Sequence, residues 1–238
     1  MHHAVRAIIM AAGKGERMRP LTNTTPKPMI SVLGTRMIDT VIDALHANGI
    51  EDIVIVTGYL GDRFRELTVK YPGLRFVDNP VYDTCNNISS LYAAREYLDC
   101  DVMIMDGDQV IRNTDILAPG FDRSGYNATR VTKETDEWVM TVEDGVVTGC
   151  SRTGGTDGWQ LYSISRWSRE DAEVLRNLLE EEFIINRRHN VYWDDIPMFL
   201  HPDKFELGIR EMNEGDMTEI DSYDELIKTD PSYIGHKA

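Results

Sequence analysis

The 238-residue sequence has few cysteines, and their placement excludes two structural roles. Cys85, Cys100 and Cys150 are odd in number and lie far apart along the chain. A disulfide framework needs an even set, and a zinc site needs ligands in closely spaced pairs. We therefore expect reduced thiols, as in a protein of the cytoplasm.

Long hydrophobic runs and an excess of basic charge are also absent. The first apolar run ends at Met10 and is far too short for a secretion signal or a membrane-spanning helix. Lys and Arg number 25 against 40 Asp and Glu, which gives a formal net charge of -15. That balance argues against a nucleic-acid polymer or an anionic membrane as a partner. A small nucleotide remains possible as a ligand, because basic side chains can cluster locally. The net charge does not determine the oligomeric state, and a homodimer is possible.

Two common nucleotide-binding patterns are missing near the start of the chain, yet a phosphate-binding loop is present. The sequence has no Gly-x-x-x-x-Gly-Lys-Ser/Thr, and Gly-x-Gly-x-x-Gly fails at Met18. The apolar run over residues 5–10 predicts a buried strand that leads into a loop over residues 11–22. Glycines in this loop let backbone N–H groups approach an anion. The candidate nucleotide-binding residues here are Ala11, Ala12, Gly13, Lys14 and Gly15.

Three cations follow these glycines. Arg17 and Arg19 carry forked donors that suit phosphate oxygens, and Lys27 stands between two prolines that stiffen the backbone. A Gly-x-Gly turn alone would be weak evidence for phosphate binding. The added cations make a phosphate site the better interpretation of this segment.

The rest of the chain predicts an α/β fold with a mixed, mostly parallel sheet flanked by helices. Strands and helices alternate up to about residue 126, as in Rossmann-like sheets with right-handed crossovers. Beyond residue 127 the pattern changes to short antiparallel strands, with a hairpin at Asp144-Gly145. Ser168 and Ser222 are predicted to open helices, because an acidic residue follows each of them three positions later. We expect a single domain over residues 1–238, because no linker separates its two halves.

Two pairs of acidic residues share a two-residue spacing. Asp106 and Asp108 follow a predicted buried strand, and Glu219 and Asp221 lie far downstream. Residues two apart on an extended segment face the same way, so each pair could contact one cation. Carboxylate oxygens suit Mg²⁺, which also keeps several waters and shares phosphate oxygens. The alternative is a solvated turn.

Aromatic and acidic residues also occur together in two places. Trp138 follows Asp136 and Glu137, and Tyr192 and Trp193 precede Asp194. Aromatic faces attract a cation that has no hydrogen-bond donors, such as a quaternary ammonium. The alternative is that both tryptophans are ordinary core residues.

A set of polar residues follows the third predicted strand. Its side chains could bind a base or a ribose, or could instead cap the next helix. The set comprises Asn79, Tyr82, Asn87 and Ser89.

The loop as a whole resembles the pattern Gly-x-Gly-x-Arg-[Met/Leu]-x-Pro-Leu-Thr of the sugar-nucleotide pyrophosphorylase, or nucleotidyltransferase, superfamily. The resemblance implies a GT-A-like nucleotidyltransferase fold, with a nucleotide-binding half over about 1–126 and an acceptor-binding half with a small antiparallel insertion over about 127–238. It implies transfer of a nucleotidyl group to a substrate phosphate with release of pyrophosphate. Arg17 would hold the β- and γ-phosphates and Lys27 would stabilise the α-phosphate.

The same resemblance implies a magnesium cofactor. The matching positions for its ligands are Asp108 and Asp221, with Asp106 and Glu219 as alternative or supporting groups.

A closer similarity is to the bacterial CTP:phosphocholine cytidylyltransferases. It extends over Asn86-Asn87-Ile88-Ser89-Ser90-Leu91-Tyr92, Asp136-Glu137-Trp138, Tyr192-Trp193-Asp194-Asp195 and Glu219-Ile220-Asp221-Ser222. It implies that CTP and phosphocholine are the substrates, and that Trp138, Tyr192, Trp193 and Asp194 surround the choline group. The residues at 151–158 match no pattern of that family, so other acceptors stay open: 2-aminoethylphosphonate, phosphoethanolamine or a sugar 1-phosphate. A catalytically silent nucleotide sensor is a more distant alternative.

Overall fold

The computed structural model describes residues 1–235. Five α-helices occur in this part of the chain: α1 (Met37–Ala47), α2 (Leu67–Lys70), α3 (Ile88–Ala93), α4 (Arg169–Glu180) and α5 (Tyr223–Thr229). The strands are β1 (His2–His3), β2 (Arg6–Met10), β3 (Ser31–Val32), β4 (Thr35–Arg36), β5 (Asp52–Thr57), β6 (Arg75–Asp78), β7 (Val102–Asp106), β8 (Gln109–Ile111), β9 (Gly120–Phe121), β10 (Gly125–Arg130), β11 (Val139–Glu143), β12 (Val146–Ser151), β13 (Trp159–Trp167), β14 (Gly208–Glu211) and β15 (Met217–Glu219).

One nine-stranded mixed sheet runs through the molecule in the order β10-β14-β12-β11-β13-β7-β2-β5-β6. Strands β7, β2, β5 and β6 are parallel to one another, and β13 pairs with β7 in the antiparallel direction. Strands from both halves of the chain therefore belong to the same sheet. The carboxyl ends of β2 and β7 lie side by side, with Met10 opposite Asp106, which is where α/β sheets bind ligands.

Each central strand is buried on both faces. Ile9 and Ile55 pack with α1 on one side, whereas Ile8 and Val54 pack with α3 and α4 on the other. Alternate side chains of a strand point to opposite faces, so continuous apolar runs such as that of β2 suit a sheet covered on both sides. A third cluster, which includes Met18 and Ile220, packs beneath the loop after β2.

The predicted alternation in the first half is confirmed, with small shifts at element ends. The predicted hairpin is confirmed as well, with β11 and β12 joined at Asp144 and Gly145. The helix after Asn87 is short, since α3 ends at Ala93 and a separate 3₁₀ turn covers Arg95–Tyr97. None of the helices within residues 1–235 combines the length and the apolar character needed to cross a membrane.

Candidate active site

The loop after β2 forms one wall of a cleft of about 630 Å³ at the carboxyl edge of the sheet. Gly15 adopts a left-handed conformation (φ 60°), and a Cβ atom there would lie 2.9 Å from Cβ of Lys27. The loop can therefore lie against Lys27 only with glycine at this position. Thr22 Oγ1 donates to the Gly15 carbonyl oxygen at 2.9 Å, which fixes the turn.

Lys27 is buried at the centre of the cleft between two carboxylates. Its Nζ lies 2.5 Å from Asp108 Oδ2 and 2.5 Å from Asp221 Oδ1. Burial works against the charged form, but the two carboxylates outweigh it and raise the pKa of Lys27 above its ordinary value. Pro28, the residue after Lys27, packs against Gly107, where a Cβ atom would lie 3.4 Å from the proline ring.

Three carboxyl groups converge beside Lys27. Asp106, Asp108 and Glu219 each place one oxygen within 4.8 Å of the others. Asp106 ends β7, and the pairing of β15 with β8 sets Glu219 opposite Gln109, next to Asp108. Burial, followed by repulsion from Asp108, raises the pKa of both Asp106 and Glu219 well above the ordinary values.

This donor set fits a divalent cation. Asp108 Oδ1 is buried and has no hydrogen-bond partner among residues 1–235, so it is an acceptor available to a metal ion. Mg²⁺ prefers carboxylate oxygens, and its charge would relieve the repulsion within the triad.

Asp221 lies on the other side of Lys27 and has two basic partners. Besides Lys27, the Arg17 guanidinium lies 3.2 Å from Asp221 Oδ2. Burial favours the neutral form of Asp221, but Lys27 and Arg17 outweigh it and lower its pKa. In this arrangement each carboxylate oxygen of Asp221 already has a basic partner.

One part of the cleft lining is aromatic and acidic. The Trp138 and Tyr192 rings lie 5.9 Å apart and nearly perpendicular, and both line the cleft with Asp194. Burial raises the pKa of Asp194 to about 7, while the Tyr126 hydroxyl, which donates to Asp194 Oδ1 at 2.9 Å, favours the charged form. A carboxyl group and two rings are thus available to a cationic ligand.

Trp193 lies outside this wall, contrary to the expectation that it surrounds the acceptor. Its side chain is buried in the core, stacked on Tyr126 at 6.2 Å and edge-on to Trp167 at 5.9 Å. Its backbone N–H donates to Asn87 Oδ1 at 2.9 Å. Adjacent residues on a loop point in different directions, and here the more apolar ring enters the core while Tyr192 stays about half exposed.

Several of the other predicted nucleotide-binding residues also lie away from the cleft wall. Asn79 is buried and donates to the hydroxyls of Ser89 and Ser90, so it supports the start of α3 from within. Arg19 pairs with Glu16 at the surface. The lining residues of the cleft include Ala11, Ala12, Gly13, Gly15, Arg17, Lys27 and Asn87, and do not include Lys14, Asn79, Tyr82 or Ser89.

The cleft also contains residues that the sequence interpretation did not assign. Ser163 and Leu161 enter it from β13, Glu137 from the segment before β11, and Ser90 from α3. The Ser163 hydroxyl hydrogen-bonds Asp106 and lowers the pKa of that carboxyl, against the larger effect of burial. The alternation of polar and apolar residues over 159–167 breaks between Leu161 and Ile164, so no period-two pattern in the sequence places Ser163 on a strand.

Two cytidylyltransferases match this sequence over nearly the whole chain. A 2-aminoethylphosphonate cytidylyltransferase of Lancefieldella rimae is 38% identical and covers 96% of this chain and 93% of that protein. A choline-phosphate cytidylyltransferase of Streptococcus pneumoniae is 30% identical, with 94% and 96% covered. The family model described as nucleotidyl transferase matches residues 6–118.

Solved structures agree with these matches. The CTP:phosphocholine cytidylyltransferase of Streptococcus pneumoniae superposes with a TM-score of 0.85 at 30% identity, covering 96% of this chain and 99% of that one. The inositol-1-phosphate CTP transferase of T. maritima shares the fold, with a TM-score of 0.74 at 16% identity and coverage of 96% and 98%. The expected fold class and the resemblance read from the loop are confirmed, and the chain belongs to the nucleotidyltransferase family of enzymes.

Proposed function

We propose that the protein is a magnesium-dependent cytidylyltransferase that acts on CTP and a small phosphate or phosphonate carrying an ammonium group. The observation that carries this proposal is that one cleft brings three sets of groups together. These are the glycine loop with Arg17 and Lys27, the Asp106–Asp108–Glu219 triad beside Lys27, and the aromatic and acidic set Trp138, Tyr192 and Asp194, which we call the acceptor end. The substrates of such a reaction, a nucleoside triphosphate among them, suit a cytoplasmic enzyme.

The reaction is an in-line displacement without a covalent enzyme intermediate. An oxygen of the acceptor phosphate attacks the α-phosphorus of CTP, and the bond from that phosphorus to the pyrophosphate oxygen breaks. Such chemistry needs positioning and neutralisation of charge more than an acid–base group. The backbone around Gly13 and Gly15 and the Arg17 guanidinium hold the β- and γ-phosphates, while Lys27 stabilises negative charge on the α-phosphate.

Asp106, Asp108 and Glu219 are the groups we assign to the magnesium ion, with Asp221 joining them once Lys27 has turned to the nucleotide. When bound, the ion supplies positive charge to the phosphate oxygens. Seven carboxylates and two basic side chains line the cleft within residues 1–235. A triphosphate would be repelled there without an added cation, which supports the assignment.

Phosphocholine is the first candidate acceptor. Its trimethylammonium group donates no hydrogen bonds, so it gains most from ring faces such as those of Trp138 and Tyr192 and from a nearby carboxylate such as Asp194. The similarity to the choline-phosphate cytidylyltransferase of Streptococcus pneumoniae supports this choice.

2-Aminoethylphosphonate is the second candidate, and two observations favour it. The relative with 38% identity is named for this acceptor. In addition, Trp193 is buried, so the acceptor end has two rings rather than three, with the carboxylates of Asp194 and Glu137 beside them. A primary ammonium group donates three hydrogen bonds and suits such acceptors.

Pyrophosphate release separates these candidates. CTP, UTP, ATP and dTTP are each paired with phosphocholine, 2-aminoethylphosphonate, phosphoethanolamine and glucose 1-phosphate, with and without Mg²⁺. We expect release with CTP, dependent on Mg²⁺, and the highest kcat/KM with one of the first two acceptors. Turnover of glucose 1-phosphate alone would contradict the acceptor class, and binding of CTP without turnover of any acceptor would indicate a sensor.

A further inference from the structure

The segment between β12 and β13, residues 152–158, contacts the residues that support the acceptor end of the cleft through one side chain. Arg152 forms an ion pair with Asp195, whose side chain is only 5% exposed. The centre of its guanidinium lies 3.8 Å from the Phe199 ring centroid and 5.8 Å from that of Trp138. A planar guanidinium can pair with a carboxylate and stack on a ring at once, which an ammonium group cannot do equally well.

Asp195 transmits this contact to the cleft. Its second oxygen, Oδ2, accepts a hydrogen bond from the backbone N–H of Tyr192 at 2.8 Å. The Trp138 ring lies edge-on to Phe199 at 5.2 Å and to Tyr192 at 5.9 Å. The two rings that line the acceptor end therefore share one support, which is formed by Arg152, Asp195 and Phe199.

We propose that Arg152 is a positioning residue that fixes Tyr192 and Trp138 relative to each other and thereby sets acceptor affinity. This inference rests on the proposed function, because it assigns the acceptor to this end of the cleft. Arg152 itself is absent from the cleft lining and acts through Asp195 and Phe199. Without the guanidinium, Asp195 would be a buried carboxylate with no ionic partner, and the segment that holds Tyr192 would rearrange to hydrate it.

The chain offers a closely matched control at Arg130. Its side chain is 48% exposed, as is that of Arg152, and it pairs with Asp157 and lies 5.6 Å from the Trp159 ring. Asp157, however, is 80% exposed, and neither Arg130 nor its partners line the cleft. The Arg130→Met variant removes the same kind of pair between side chains that do not line the cleft.

The first test is steady-state kinetics of Arg152→Met, Arg152→Lys and Arg130→Met with the preferred acceptor. We expect Arg152→Met to raise the acceptor KM about tenfold or more, the scale of a small misplacement at a reacting site, with the CTP KM within about twofold. Arg152→Lys keeps the charge and should recover only part of the loss. Arg130→Met should match the wild type. An unchanged acceptor KM, equal rises for both substrates, or the same effect in Arg130→Met would overturn the proposal.

The second test does not depend on turnover. Amide hydrogen exchange of the peptide containing Tyr192 should accelerate in Arg152→Met and return toward the wild-type rate in Arg152→Lys, because the ion pair protects the Tyr192 hydrogen bond. Unchanged exchange in Arg152→Met would overturn the coupling. If the wild type turned over no acceptor, the proposed function would fail while the exchange data still decided whether Arg152 holds Tyr192.

Discussion

Asp194 is partly buried at the acceptor end of the cleft, and its surroundings set its charge near neutral pH. Burial raises the pKa to about 7, and the Tyr126 hydroxyl limits that rise by donating to the charged form. An ionised Asp194 attracts an ammonium group, whereas a protonated one does not. We therefore expect acceptor affinity to increase as the pH rises through 7.

Replacing Tyr126 with Phe should move this dependence to higher pH. A hydrogen bond to a charged group contributes about 1.5 kcal/mol, so its loss should raise the pKa of Asp194 by roughly one unit. At pH 7 the acceptor KM should rise about fivefold, and at pH 9 it should approach the wild-type value. The measurement is acceptor KM between pH 6 and 9.

Tyr71→Phe is the control for this experiment. The Tyr71 hydroxyl also donates to a carboxylate at 2.9 Å, that of Asp43, but away from the cleft. Its profile should match the wild type. A Tyr126→Phe profile that is unchanged, or that moves to lower pH, would show that Asp194 does not govern acceptor binding.

Lys27→Ala should lower kcat by about 10²-fold or more, the scale of losing one preorganised donor to the transition state. The structure supports this expectation because Lys27 is held rigidly by Asp108 and Asp221 before substrate binds. Lys70→Ala, which removes an exposed lysine paired with Asp43, is the control for lost positive charge. Near-normal turnover of Lys27→Ala would remove Lys27 from the mechanism.

At the scale of whole elements, the sequence predicts the starts of α4 and α5, which depend on neighbouring residues, but not the pairing of β13 with distant strands. Ser168 accepts from Asp171 N at the start of α4, and Ser222 forms a full capping box with Glu225 at the start of α5, as their spacing predicted. These bonds involve neighbours in the sequence. Strand β13 was not predicted, because its place between β7 and β11 depends on partners far away in the chain.

The residues of the candidate site likewise divide into those that the local sequence indicates and those that pairing between distant segments brings in. The glycine loop, Asp106 and Asp108 lie at or just beyond the ends of parallel strands, where ligands bind, so the sequence alone indicated their part of the site. Glu219 reaches the triad through the β8–β15 pairing, which sequence distance conceals. The sequence also could not show that Trp138 lines the cleft while Trp193 enters the core, since both tryptophans stand next to acidic residues and burial is decided by tertiary packing.

Gly154→Ala should damage the acceptor end through the path of the backbone. Gly154 has φ 78°, and a Cβ atom there would lie 1.8 Å from the Thr135 carbonyl oxygen. The segment with Thr135, which forms an isolated bridge with Gly155, must then move, and it leads directly to Glu137 and Trp138. We expect a higher acceptor KM and a lower melting temperature, measured by kinetics and thermal denaturation.

Gly145→Ala separates this clash from ordinary strain. Gly145 also has φ 78°, but a Cβ atom there would meet nothing within 4 Å. Both variants therefore carry the same left-handed strain of about 1–2 kcal/mol, and only Gly154→Ala adds the steric conflict. Equal effects of the two substitutions on acceptor KM would show that the contact between Gly154 and Thr135 does not affect the acceptor end.

At the scale of the whole molecule, acidic charge is concentrated where substrates would bind. The carboxylates of the cleft account for part of the formal net charge of -15. Repulsion from Asp108 raises the pKa of Asp106 and of Glu219 in addition to the effect of burial. In the folded protein without a bound cation, the carboxylates of Asp106, Asp108 and Glu219 therefore repel one another. A divalent ion that binds only the folded chain should relieve this repulsion and stabilise the protein.

Magnesium should accordingly raise the melting temperature of protein stripped with a chelator. At a hundred times the dissociation constant the gain is about 2.7 kcal/mol, which corresponds to roughly 5–10 °C for a chain of this size. Asp108→Asn should largely abolish the increase, because Asp108 belongs to the triad and has the buried unpartnered oxygen. Asp203→Asn, at an exposed carboxylate paired with Lys204, should keep the increase in full. An equal rise in Asp108→Asn and the wild type would place magnesium elsewhere, since only a site that includes Asp108 makes the stabilisation depend on that side chain.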